Sequence, residues 1–523
     1  MGIEIQVPGA RVVSTNPATG EVLREFDCAS ATEVQAAVAR AHAAQPAWRV
    51  IAVRKRLEIL ATFQQLLNER KQHVARLITS EAGKPIAEAL LTEILVVLDA
   101  VRFLLEETYA FLREEPLPHG NLATKAKSGR LIREPYGVIG IISPWNYPFS
   151  IPATETLAAL ATGNAVVLKP SELTPLCALE LASLLHDAGV PEGVFQVVIG
   201  EGPAGAALIE SAIDKLIFTG SVSTGRRIAQ TAGARLLPVV LELGGKDPML
   251  VLDDADVDVA SSGAVWGAFV NAGQACLSVE RCYVQRSIYE TFVSACAEKT
   301  KRLRVGNGAE PNTDIGPLIR KRQLHAVEQQ VEDARSHGAQ VVTGGERLTS
   351  LGPNYYAPTI LADVSHEMLI MREETFGPVL PIMPFDSDAE AIRLANDSDY
   401  GLAAGVWTCN RLRGEKIARQ INAGAVMVND AISCFGISEA PHGGVKASGI
   451  GRTHGRFGLE EMVWIKYLDT DLLPRMKKPW WYGYSSGLSE AAGGLLDFQF
   501  AQRLGNRLKG GIRSLPLIRR PRL

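Results

Sequence analysis

The spacing of apolar positions along the chain predicts two kinds of region. Between residues 31 and about 112, apolar side chains recur three and four positions apart, as at Leu57, Leu60 and Phe63, which is typical of amphipathic helices. From Tyr136 onward, short β-branched runs alternate with helical stretches. This alternation of largely apolar strands with helices predicts a parallel sheet covered by helices.

Five strands and three helices can be placed in the second region. The strands are predicted over residues 138–142, 165–168, 194–199, 215–218 and 239–243, and the helices over residues 151–160, 177–188 and 202–211. In open α/β sheets the ligand binds beyond the carboxyl ends of the strands. Polar and glycine-containing segments follow three of these strands, so we expect a ligand site at that edge of the sheet.

Two further segments differ from these regions. Residues 1–28 alternate short strand-like runs with turn signals. Residues 114–137 place Pro116, Pro118 and Gly120 among mixed polar and basic residues. This composition predicts a hairpin arm that projects from the body and contacts another subunit.

Composition excludes several classes of protein. The 523 residues are too many for one hydrophobic core, and 46% hydrophobic with 21% charged residues is ordinary for a soluble globular protein. A net charge of −3 argues against nucleic acid as a partner. Seven cysteines without a CxxC pair favour a reducing compartment over a disulfide framework or a zinc site. Neither a secretory signal nor an apolar run of spanning length is visible.

The last 53 residues, 471–523, differ from the rest of the chain in charge and in pattern, and we call them the extension. They carry ten Lys and Arg against three acids, which leaves −10 on the rest of the chain. Trp480-Trp481-Tyr482 precede an apolar series, and Arg519-Arg520-Pro521-Arg522 follow it. The series recurs every fourth position and predicts one amphipathic helix with a basic end: Leu488, Ala492, Leu496, Phe500, Leu504 and Leu508.

Two roles for this extension are open. An interfacial membrane helix shows this combination of an apolar face and basic residues. A helix packed across a subunit boundary or over a substrate entrance shows it equally. The glycines at 493, 494, 505, 510 and 511 weaken an isolated helix and favour the protein-packed alternative.

Cys276 is the strongest candidate for a nucleophile. It belongs to the segment Asn271–Ser278, which interrupts an apolar, helical run over residues 264–270, so it should lie on a turn at the end of a buried element. A thiolate attacks carbonyl carbon, but the thiol needs a helix N-terminus, a cation or a nearby base to ionise. The alternative is a small apolar core residue, the common fate of a buried cysteine.

Other candidate residues follow the predicted strands. Glu242 lies inside an apolar strand, where desolvation would raise the pKa of its carboxyl and make it a base near neutral pH. A paired structural charge is the alternative. Ser221 opens a helix with exposed backbone N–H groups that suit a phosphate, and Lys169 with Glu172 suits a ribose. Ordinary turns explain these last signals as well.

In combination these residues resemble the NAD(P)-dependent aldehyde dehydrogenase superfamily. Thr219-Gly220-Ser221, Leu241 to Lys246, and Gly273 to Cys276 stand in the family's order, with its usual interval of 34 from acid to thiol. Pro144 to Pro148, Glu373 to Pro378 and Pro441 to Lys446 are similar to further family motifs. The resemblance covers about residues 10 to 470.

The resemblance implies a role for each site residue. Cys276 would be the nucleophile, Asn146 an oxyanion donor and Glu242 the base that activates water. It implies NAD, with NADP as an alternative, and no metal. The residues implied in binding that cofactor are Ile142, Ser143, Pro144, Trp145, Lys169, Ser171, Glu172, Gly202, Gly205, Thr219, Gly220, Ser221, Gly225, Leu243, Gly244, Glu374 and Phe376.

The implied reaction is oxidation of an aldehyde to a carboxylic acid through a Cys276 thioester. Members that acylate coenzyme A usually lack the glutamate, so Glu242 favours hydrolysis. Thr154 stands where succinic semialdehyde dehydrogenases carry an arginine, and Glu155 follows it, so we expect a neutral, apolar or aromatic aldehyde. A semialdehyde or coenzyme A-acylating enzyme is the alternative, and a non-catalytic scaffold is disfavoured by the intact catalytic set.

Two residues near the implied site have no assigned role. His442 stands where the family more often has Phe, and a hydrogen-bonded loop histidine is the favoured interpretation. Cys434 lies in a loop that borders the family's substrate tunnel, and its side chain either lines that tunnel or belongs to the core.

The implied architecture is the α/β aldehyde dehydrogenase fold. We expect a Rossmann-like cofactor domain over residues 1–118 and 138–244 with 443–460, and a catalytic domain over 245–442. An oligomerisation arm is expected over 119–137 and 461–470, followed by the extension. The implied partners are a small aldehyde and a second subunit, as a homodimer or homotetramer. The expected location is the cytoplasm, with peripheral membrane contact through the extension as an open alternative.

Overall fold

A computed structural model describes residues 11–478 and 480–517. The start of the predicted cofactor domain and the Arg519–Arg522 basic cluster lie outside the described residues. Contacts divide the chain into two compact units: Met1–Phe111 with Pro135–Val463, and Leu112–Glu134 with Trp464–Leu523.

The first unit begins with an antiparallel strand pair and a helical region. The pair is β1 (Arg11–Thr15) and β2 (Val22–Asp27). The helices that follow are α1 (Ala31–Val50), α2 (Val53–Ala82), α3 (Ile86–Glu88) and α4 (Leu95–Phe111). A π-helical segment, Ala89–Ile94, joins α3 to α4 and buries Glu93. The helical prediction for residues 31–112 is confirmed, with breaks after α1 and α2.

A six-stranded sheet forms the predicted cofactor-binding half. Its strands are β5 (Val138–Ile142), β6 (Ala165–Lys169), β7 (Phe195–Val197), β8 (Lys215–Thr219), β9 (Val239–Glu242) and β17 (Gly449–Ile450). They run in the order β17-β9-β8-β5-β6-β7, parallel except for β17. The intervening helices are α5 (Ser150–Thr162), α6 (Pro175–Asp187), α7 (Gly202–Glu210) and α8 (Val222–Ala234). The predicted parallel sheet is confirmed.

A second sheet of seven strands carries the nucleophile segment. Its order is β12-β13-β14-β11-β10-β15-β16, and β12 pairs antiparallel with β13. The strands are β10 (Asp247–Val251), β11 (Val279–Gln285), β12 (Gln340–Thr343), β13 (Thr359–Ala362), β14 (Val379–Phe385), β15 (Ala403–Trp407) and β16 (Ala425–Val428). The chain passes from the first sheet to the second between β9 and β10, where the domain boundary is predicted.

Helices around this second sheet complete the first unit. They are α9 (Val257–Phe269), α10 (Tyr289–Lys301), α11 (Lys321–Ser336), α12 (Leu369–Arg372), α13 (Asp388–Asn396) and α14 (Arg411–Ala418). The last helix, α15 (Gly455–Glu460), packs on α4 and α5 instead. The core residues of this half, such as Tyr283, Phe292 and Phe385, are fully buried. The residues on either side of Cys276 are therefore anchored in rigid elements.

The second unit contains a three-stranded sheet and a helical hairpin. The sheet has the order β18-β4-β3, with β3 (Glu115–Leu117), β4 (Lys127–Pro135) and β18 (Val463–Asp471). Strands β3 and β4 are antiparallel, as predicted for the arm. Lys466 Nζ donates to Glu134 Oε1 over 2.7 Å and links β18 to β4.

The prediction of one long helix in the extension is wrong. Two helices are present, α16 (Ser486–Phe500) and α17 (Leu504–Ser514), and they pack on each other. Gly494 and Gly510 allow the close approach, because a Cβ on Gly510 would lie 2.6 Å from the Gly494 carbonyl oxygen. The four-residue apolar spacing continues through the break, so it could not reveal the turn. Within the described residues, no helix is long and apolar enough to cross a membrane.

Candidate active site

Cys276 lies on the turn that its sequence predicts. A short 3-10 turn, Val270–Gly273, follows α9. Asn271 and Ala272 have φ angles of 53° and 56°, a left-handed conformation that ends the helix at some cost in strain. The half-buried Cys276 follows three residues later. The local sequence thus ends the helix before Cys276 and places this residue on a turn.

Cys276 and Glu242 line the same cavity of about 350 Å³. The acid comes from the carboxyl end of β9 and the thiol from the turn after α9. The remaining wall is mostly apolar or neutral and includes Ile151, Thr154, Leu402, Phe435, His442 and Thr453. Among the described residues that line it, none is a lysine or arginine. A thiol and a carboxyl group therefore meet in a pocket without a lysine or arginine among its described lining residues.

Glu242 has an unusually poor environment for an anion. The side chain is 5% exposed, and neither carboxyl oxygen has a hydrogen-bond partner among the described residues. Burial raises the pKa of this carboxyl well above its usual range, and the neighbouring Glu155 raises it further. Once deprotonated, such a carboxylate is a stronger base than a solvated one.

The thiol of Cys276 is also held in its neutral form. Burial raises its pKa well above the usual range, and Asp247, Glu374 and Glu242 add to the shift. The sequence led us to expect a cation, a helix N-terminus or a base beside the thiol. Of these three, the cavity contains a candidate base, Glu242. The charged residues that shift the pKa of the thiol are all acidic.

Asn146 is fixed against the turn that carries Cys276. Its Nδ2 donates to the Gln274 carbonyl oxygen over 3.1 Å. Asn271 Nδ2 donates to the backbone oxygens of Asn146 (2.9 Å) and Gln274 (3.1 Å), which ties the two loops together. A primary amide has two N–H groups, so one remains to meet an oxyanion.

A buried ion pair holds the Asn146 loop in place. Lys84 Nζ donates to Glu93 Oε1 (2.6 Å) and to the Asn146 carbonyl oxygen (2.9 Å), and both charged side chains are fully buried. Glu93 Oε2 accepts from the backbone N–H groups of Phe149 (2.9 Å) and Ser150 (3.0 Å) at the start of α5. This pair therefore positions both ends of the loop. The sequence analysis did not identify it, because a single lysine and acid nine residues apart form no recognised motif.

His442 is placed differently from the loop histidine that we favoured. It is 5% exposed, lines the catalytic cavity, and brings Nε2 to 3.7 Å from Glu242 Oε2. Its ring lies edge-on to Phe435 and near that of His454. Burial lowers the pKa of His442 to about 3 and that of His454 to about 4, so both rings are neutral at physiological pH. A neutral ring beside the base does not favour its anion as a cation would.

The residues predicted to bind the adenosine ribose lie together after β6. Lys169 Nζ and Glu172 Oε2 are 3.9 Å apart, and Arg320 Nη1 is 3.9 Å from Glu172 Oε1. Burial lowers the pKa of Lys169. The acid is thus flanked by two cations, one of which the sequence analysis did not connect with the site.

The segment predicted to bind pyrophosphate begins helix α8. Ser221 is its N-cap residue, and Ser221 Oγ accepts from the Thr224 N–H over 3.4 Å. Gly225 lies against the Leu243 side chain, which would have to shift for a Cβ there, since that Cβ would lie 2.5 Å from its Cδ2. The helix start therefore packs directly on the chain that follows β9.

A second buried ion pair arranges the residues predicted for the nicotinamide side. Lys246 Nζ donates to Glu280 Oε2 over 2.7 Å. Glu280 then accepts from the backbone N–H groups of Thr375 (2.8 Å) and Phe376 (2.9 Å). The Phe376 ring meets Trp145 edge-on at 5.4 Å between centroids.

Glu374 is pressed against the glycine pair after β9. Its Oε1 accepts from the Gly245 N–H over 3.1 Å, and a Cβ on Gly244 would lie 2.5 Å from the carboxyl group. Burial raises the pKa of Glu374 to about 8. The other residues predicted to bind the cofactor lie at or just after the ends of strands β5, β6 and β8 of the six-stranded sheet, or at the start of helix α7. They are Ile142, Ser143, Pro144, Ser171, Gly202, Gly205, Thr219 and Gly220.

These features fit a nicotinamide dinucleotide. Gly225 and Gly244 pack closely against the Leu243 and Glu374 side chains, and a lysine and an acid stand together where a ribose is expected. Among the described residues no cluster of His, Cys, Asp or Glu could hold a metal ion.

Cys434 belongs to the core. It is buried against Leu277, Leu402 and Ala403, and burial raises the pKa of its thiol to about 12. Phe435, the next residue, lines the catalytic cavity instead.

The family model described as aldehyde dehydrogenase family matches residues 6–468. The chain is 39% identical over 491 residues to 4,4'-diapolycopene aldehyde oxidase of Methylomonas sp, covering 94% of this chain and 92% of that protein. The 6% left unaligned amounts to fewer residues than the 53 of the extension, so part of the extension is aligned with that relative.

Two further comparisons cover the body of the chain. The mitochondrial succinate-semialdehyde dehydrogenase of Oryza sativa subsp. japonica is 39% identical over 465 residues, covering 88% of this chain and 86% of that protein. The NAD+ complex of aldehyde dehydrogenase from Bacillus cereus superimposes with a TM-score of 0.85 at 38% identity, covering 88% and 94% of the two chains.

The buried pair at Lys84 gives a direct test of how the Asn146 loop is held. Lys84→Met leaves Glu93 buried without its partner, a change that typically costs about 3–5 kcal/mol of unfolding free energy. We expect a lower thermal midpoint and, because Asn146 is displaced, roughly a hundredfold loss of kcat. The control is Lys55→Met, which breaks an exposed pair with Glu58. Equal stability and kcat in both variants would contradict the assignment.

Proposed function

The chain belongs to the aldehyde dehydrogenase family, and from that membership we propose that it oxidises a neutral, apolar or aromatic aldehyde to its carboxylic acid with NAD+. The observation that carries this proposal is the shared cavity of Cys276 and Glu242, whose wall contains no lysine or arginine among the described residues.

Cys276 is the proposed nucleophile. Its thiolate adds to the aldehyde carbon and forms a hemithioacetal, whose oxyanion accepts from the free N–H of Asn146 and from backbone N–H groups. Because the pKa of the thiol is raised, the thiol must lose its proton before it attacks, and this ionisation becomes more complete as pH rises. The bound nicotinamide supplies the hydride acceptor that converts the hemithioacetal to a thioester.

Glu242 is the proposed base for the second half of the reaction. Its carboxylate deprotonates a water molecule, which attacks the thioester carbon and releases the carboxylic acid with the free thiol. Neither oxygen has a hydrogen-bond partner among the described residues, so both retain unused acceptor capacity for that water. His442 at 3.7 Å stays neutral and limits the space around Glu242.

The substrate preference follows from the cavity wall. A substrate carboxylate would be desolvated there without a cation to pair with, which is costly. Burial raises the pKa of Glu155 to about 8, so this acid is mostly neutral at pH 7 and repels anions less than we expected from the sequence. The named activity of the Methylomonas relative concerns a long apolar aldehyde, which agrees with this preference.

Preference for NAD+ over NADP+ rests on Glu172. A carboxylate beside the adenosine ribose accepts from its hydroxyls and repels a 2′-phosphate. Lys169 and Arg320, each 3.9 Å from this acid, reduce that repulsion. We therefore propose a preference for NAD+ with measurable NADP+ activity.

A semialdehyde dehydrogenase is the second candidate, because the rice relative with 39% identity carries that name. Acylation of coenzyme A is disfavoured by the presence of Glu242 in the cavity. We further propose a homodimer or homotetramer built through the β3–β4 arm, and a cytoplasmic location that agrees with seven free thiols.

A panel of aldehydes tests the proposed substrate class. We expect kcat/KM to rise with the length of neutral alkanals and to be high for aromatic aldehydes, since apolar surface is buried on binding. Succinic semialdehyde should fall at least roughly tenfold below the uncharged aldehyde of equal length, because its carboxylate is desolvated without a partner. Measurement with NAD+ and with NADP+ assigns the cofactor. Higher kcat/KM for the semialdehyde would instead support the second candidate.

Glu242→Gln tests the assignment of the hydrolytic base. Since a glutamine cannot deprotonate water, we expect one equivalent of NADH per site in a rapid burst, followed by very slow turnover. Stopped-flow absorbance measures both phases. Cys276→Ser is the matched control and should give neither burst nor turnover. Steady turnover of Glu242→Gln near the wild-type rate would assign the base to another group, with Glu155 in the same cavity as the candidate.

The pH profile follows from the raised pKa values of Cys276 and Glu242. Both groups act after losing a proton, so kcat/KM should increase as pH rises through neutrality into the alkaline range. His442, with a pKa of about 3, is neutral throughout and should add no inflection between pH 5 and 9. His442→Phe should therefore keep the wild-type profile. If the wild-type profile had an inflection near pH 6 to 7 that His442→Phe removes, the conclusion that His442 is neutral over this range would be wrong.

A further inference from the structure

Helix α17 exposes an apolar face that the hairpin does not cover. Leu504, Leu508 and Ile512 are 71%, 61% and 70% exposed, and their spacing of four residues places them on one side. Leu515, just beyond the helix, is 53% exposed. Four large apolar side chains in one stripe are far from the scattered single residues usual on a protein surface.

The contact with α16 uses the opposite side of α17. Gly510 packs on Gly494, and Arg507 Nε donates to the Phe498 carbonyl oxygen over 3.1 Å. At about 100° per residue, Gly510 lies roughly 160° around the helix from the centre of the leucine and isoleucine stripe. The stripe therefore points away from α16 and is not the core of the hairpin.

Cations border the stripe, and acids are missing from this part of the chain. By the same rotation, Arg507 and Lys509 lie about 100° to either side of the centre of the stripe, and Arg503 and Arg513 lie about 140° from it. In the sequence, residues 498–523 contain seven Lys and Arg and no Asp or Glu. Arg513 pairs with Asp497 on α16. The flanks of the stripe are thus uniformly positive.

Aromatic side chains stand exposed just before the hairpin. Trp480, Trp481, Tyr482 and Tyr484 are 44%, 51%, 87% and 67% exposed. Tryptophan and tyrosine favour the boundary between lipid headgroups and acyl chains, because one part of each ring system is apolar and another is polar.

We propose that the helical hairpin and its aromatic approach, residues 480–517, dock on the surface of an anionic lipid bilayer, with the Leu504-Leu508-Ile512 stripe in the acyl boundary. An apolar stripe on a helix whose charges are all positive matches a surface that is uniformly negative over an apolar interior. This surface lies outside the catalytic unit, so the inference goes beyond the proposed function and stands independently of it.

Protein partners fit this surface less well. A protein interface generally carries charges of both signs in its polar rim, so that cations on one partner meet acids on the other. Every charge on α17, in contrast, is positive. A second copy of the chain would offer the net −10 of residues 1–470 to the cations, but charge alone leaves the stripe and the aromatic side chains exposed to water. Self-association is therefore the alternative outcome of the test.

Vesicle co-sedimentation of the full-length protein tests the proposal. Vesicles of phosphatidylcholine alone are compared with vesicles that contain phosphatidylglycerol and phosphatidylcholine in a 3:7 ratio. We expect partition to the anionic vesicles to exceed that to the neutral ones by roughly tenfold or more at low salt, and to fall as salt is added. Equal, salt-independent partition to both, or none to either, would overturn the proposal.

Two variants separate the contributions of the stripe and of its cations. Leu504→Gln with Leu508→Gln and Ile512→Gln removes the stripe, and Arg503→Gln with Lys509→Gln removes two cations outside the helix contact. Each should lower partition to anionic vesicles roughly tenfold or more and leave kcat for a short soluble aldehyde unchanged. Leu412→Gln, at a leucine that is 77% exposed on α14, is the matched control and should bind like wild type.

Size-exclusion chromatography and circular dichroism of the same variants complete the test. If the stripe variant retains its helix content and loses lipid binding alone, the bilayer is the partner. If it dissociates a wild-type oligomer while the wild type ignores vesicles, the stripe covers a second copy and the proposal is wrong. Because dehydrogenase activity is not the readout of binding, failure of the proposed function would leave this result unaffected.

Discussion

The Lys84–Glu93 pair is the interaction on which the arrangement of the active site depends. Both charges are fully buried, and each is stabilised by the other and by backbone groups of one short loop. Removing a charge from water is expensive, so the chain can keep this pair only while the Asn146 loop and the start of α5 supply the remaining hydrogen bonds. The loop is therefore fixed in position before any substrate arrives, as a preorganised oxyanion site requires.

The Lys246–Glu280 pair is a second buried ion pair that fixes a loop. Glu280 accepts from the backbone N–H groups of Thr375 and Phe376 and so holds that segment in place. Charges are thus buried as pairs in the supporting layer, whereas the acids Glu242 and Glu155 at the cavity lack a cationic partner among the described residues. This distribution separates rigidity from reactivity. Paired charges fix the loops, and the unpaired carboxyls of Glu155 and Glu242 hold their protons more tightly than solvated ones because burial raises their pKa values.

The sequence predicted the parts of the fold that depend on local pattern. Strand and helix alternation identified the six-stranded sheet, and motif order identified Cys276 and Glu242, which the structure brings to one cavity. His442 could not be placed from sequence, because its contact with Glu242 spans 200 positions and a lone histidine has no recognisable spacing. The hairpin of α16 and α17 was missed for a different reason. The four-residue spacing of its apolar side chains is unbroken. Two of the glycines that we expected to weaken a single helix, Gly494 and Gly510, lie where the two helices contact each other.

The π-helical segment Ala89–Ile94 restricts how this region of the chain can change in length. A π turn accommodates one residue more than the α-helix around it. Deleting a single residue between Ala89 and Glu93 would restore a regular α-helix and rotate Glu93 by about 100° relative to α3 and the preceding Lys84. Evolutionary insertions and deletions should therefore be excluded between Lys84 and Glu93 as long as both charges are kept, even though the exposed helix surface nearby could tolerate many substitutions. Chain length, in addition to residue identity, is thus a structural requirement for this buried pair.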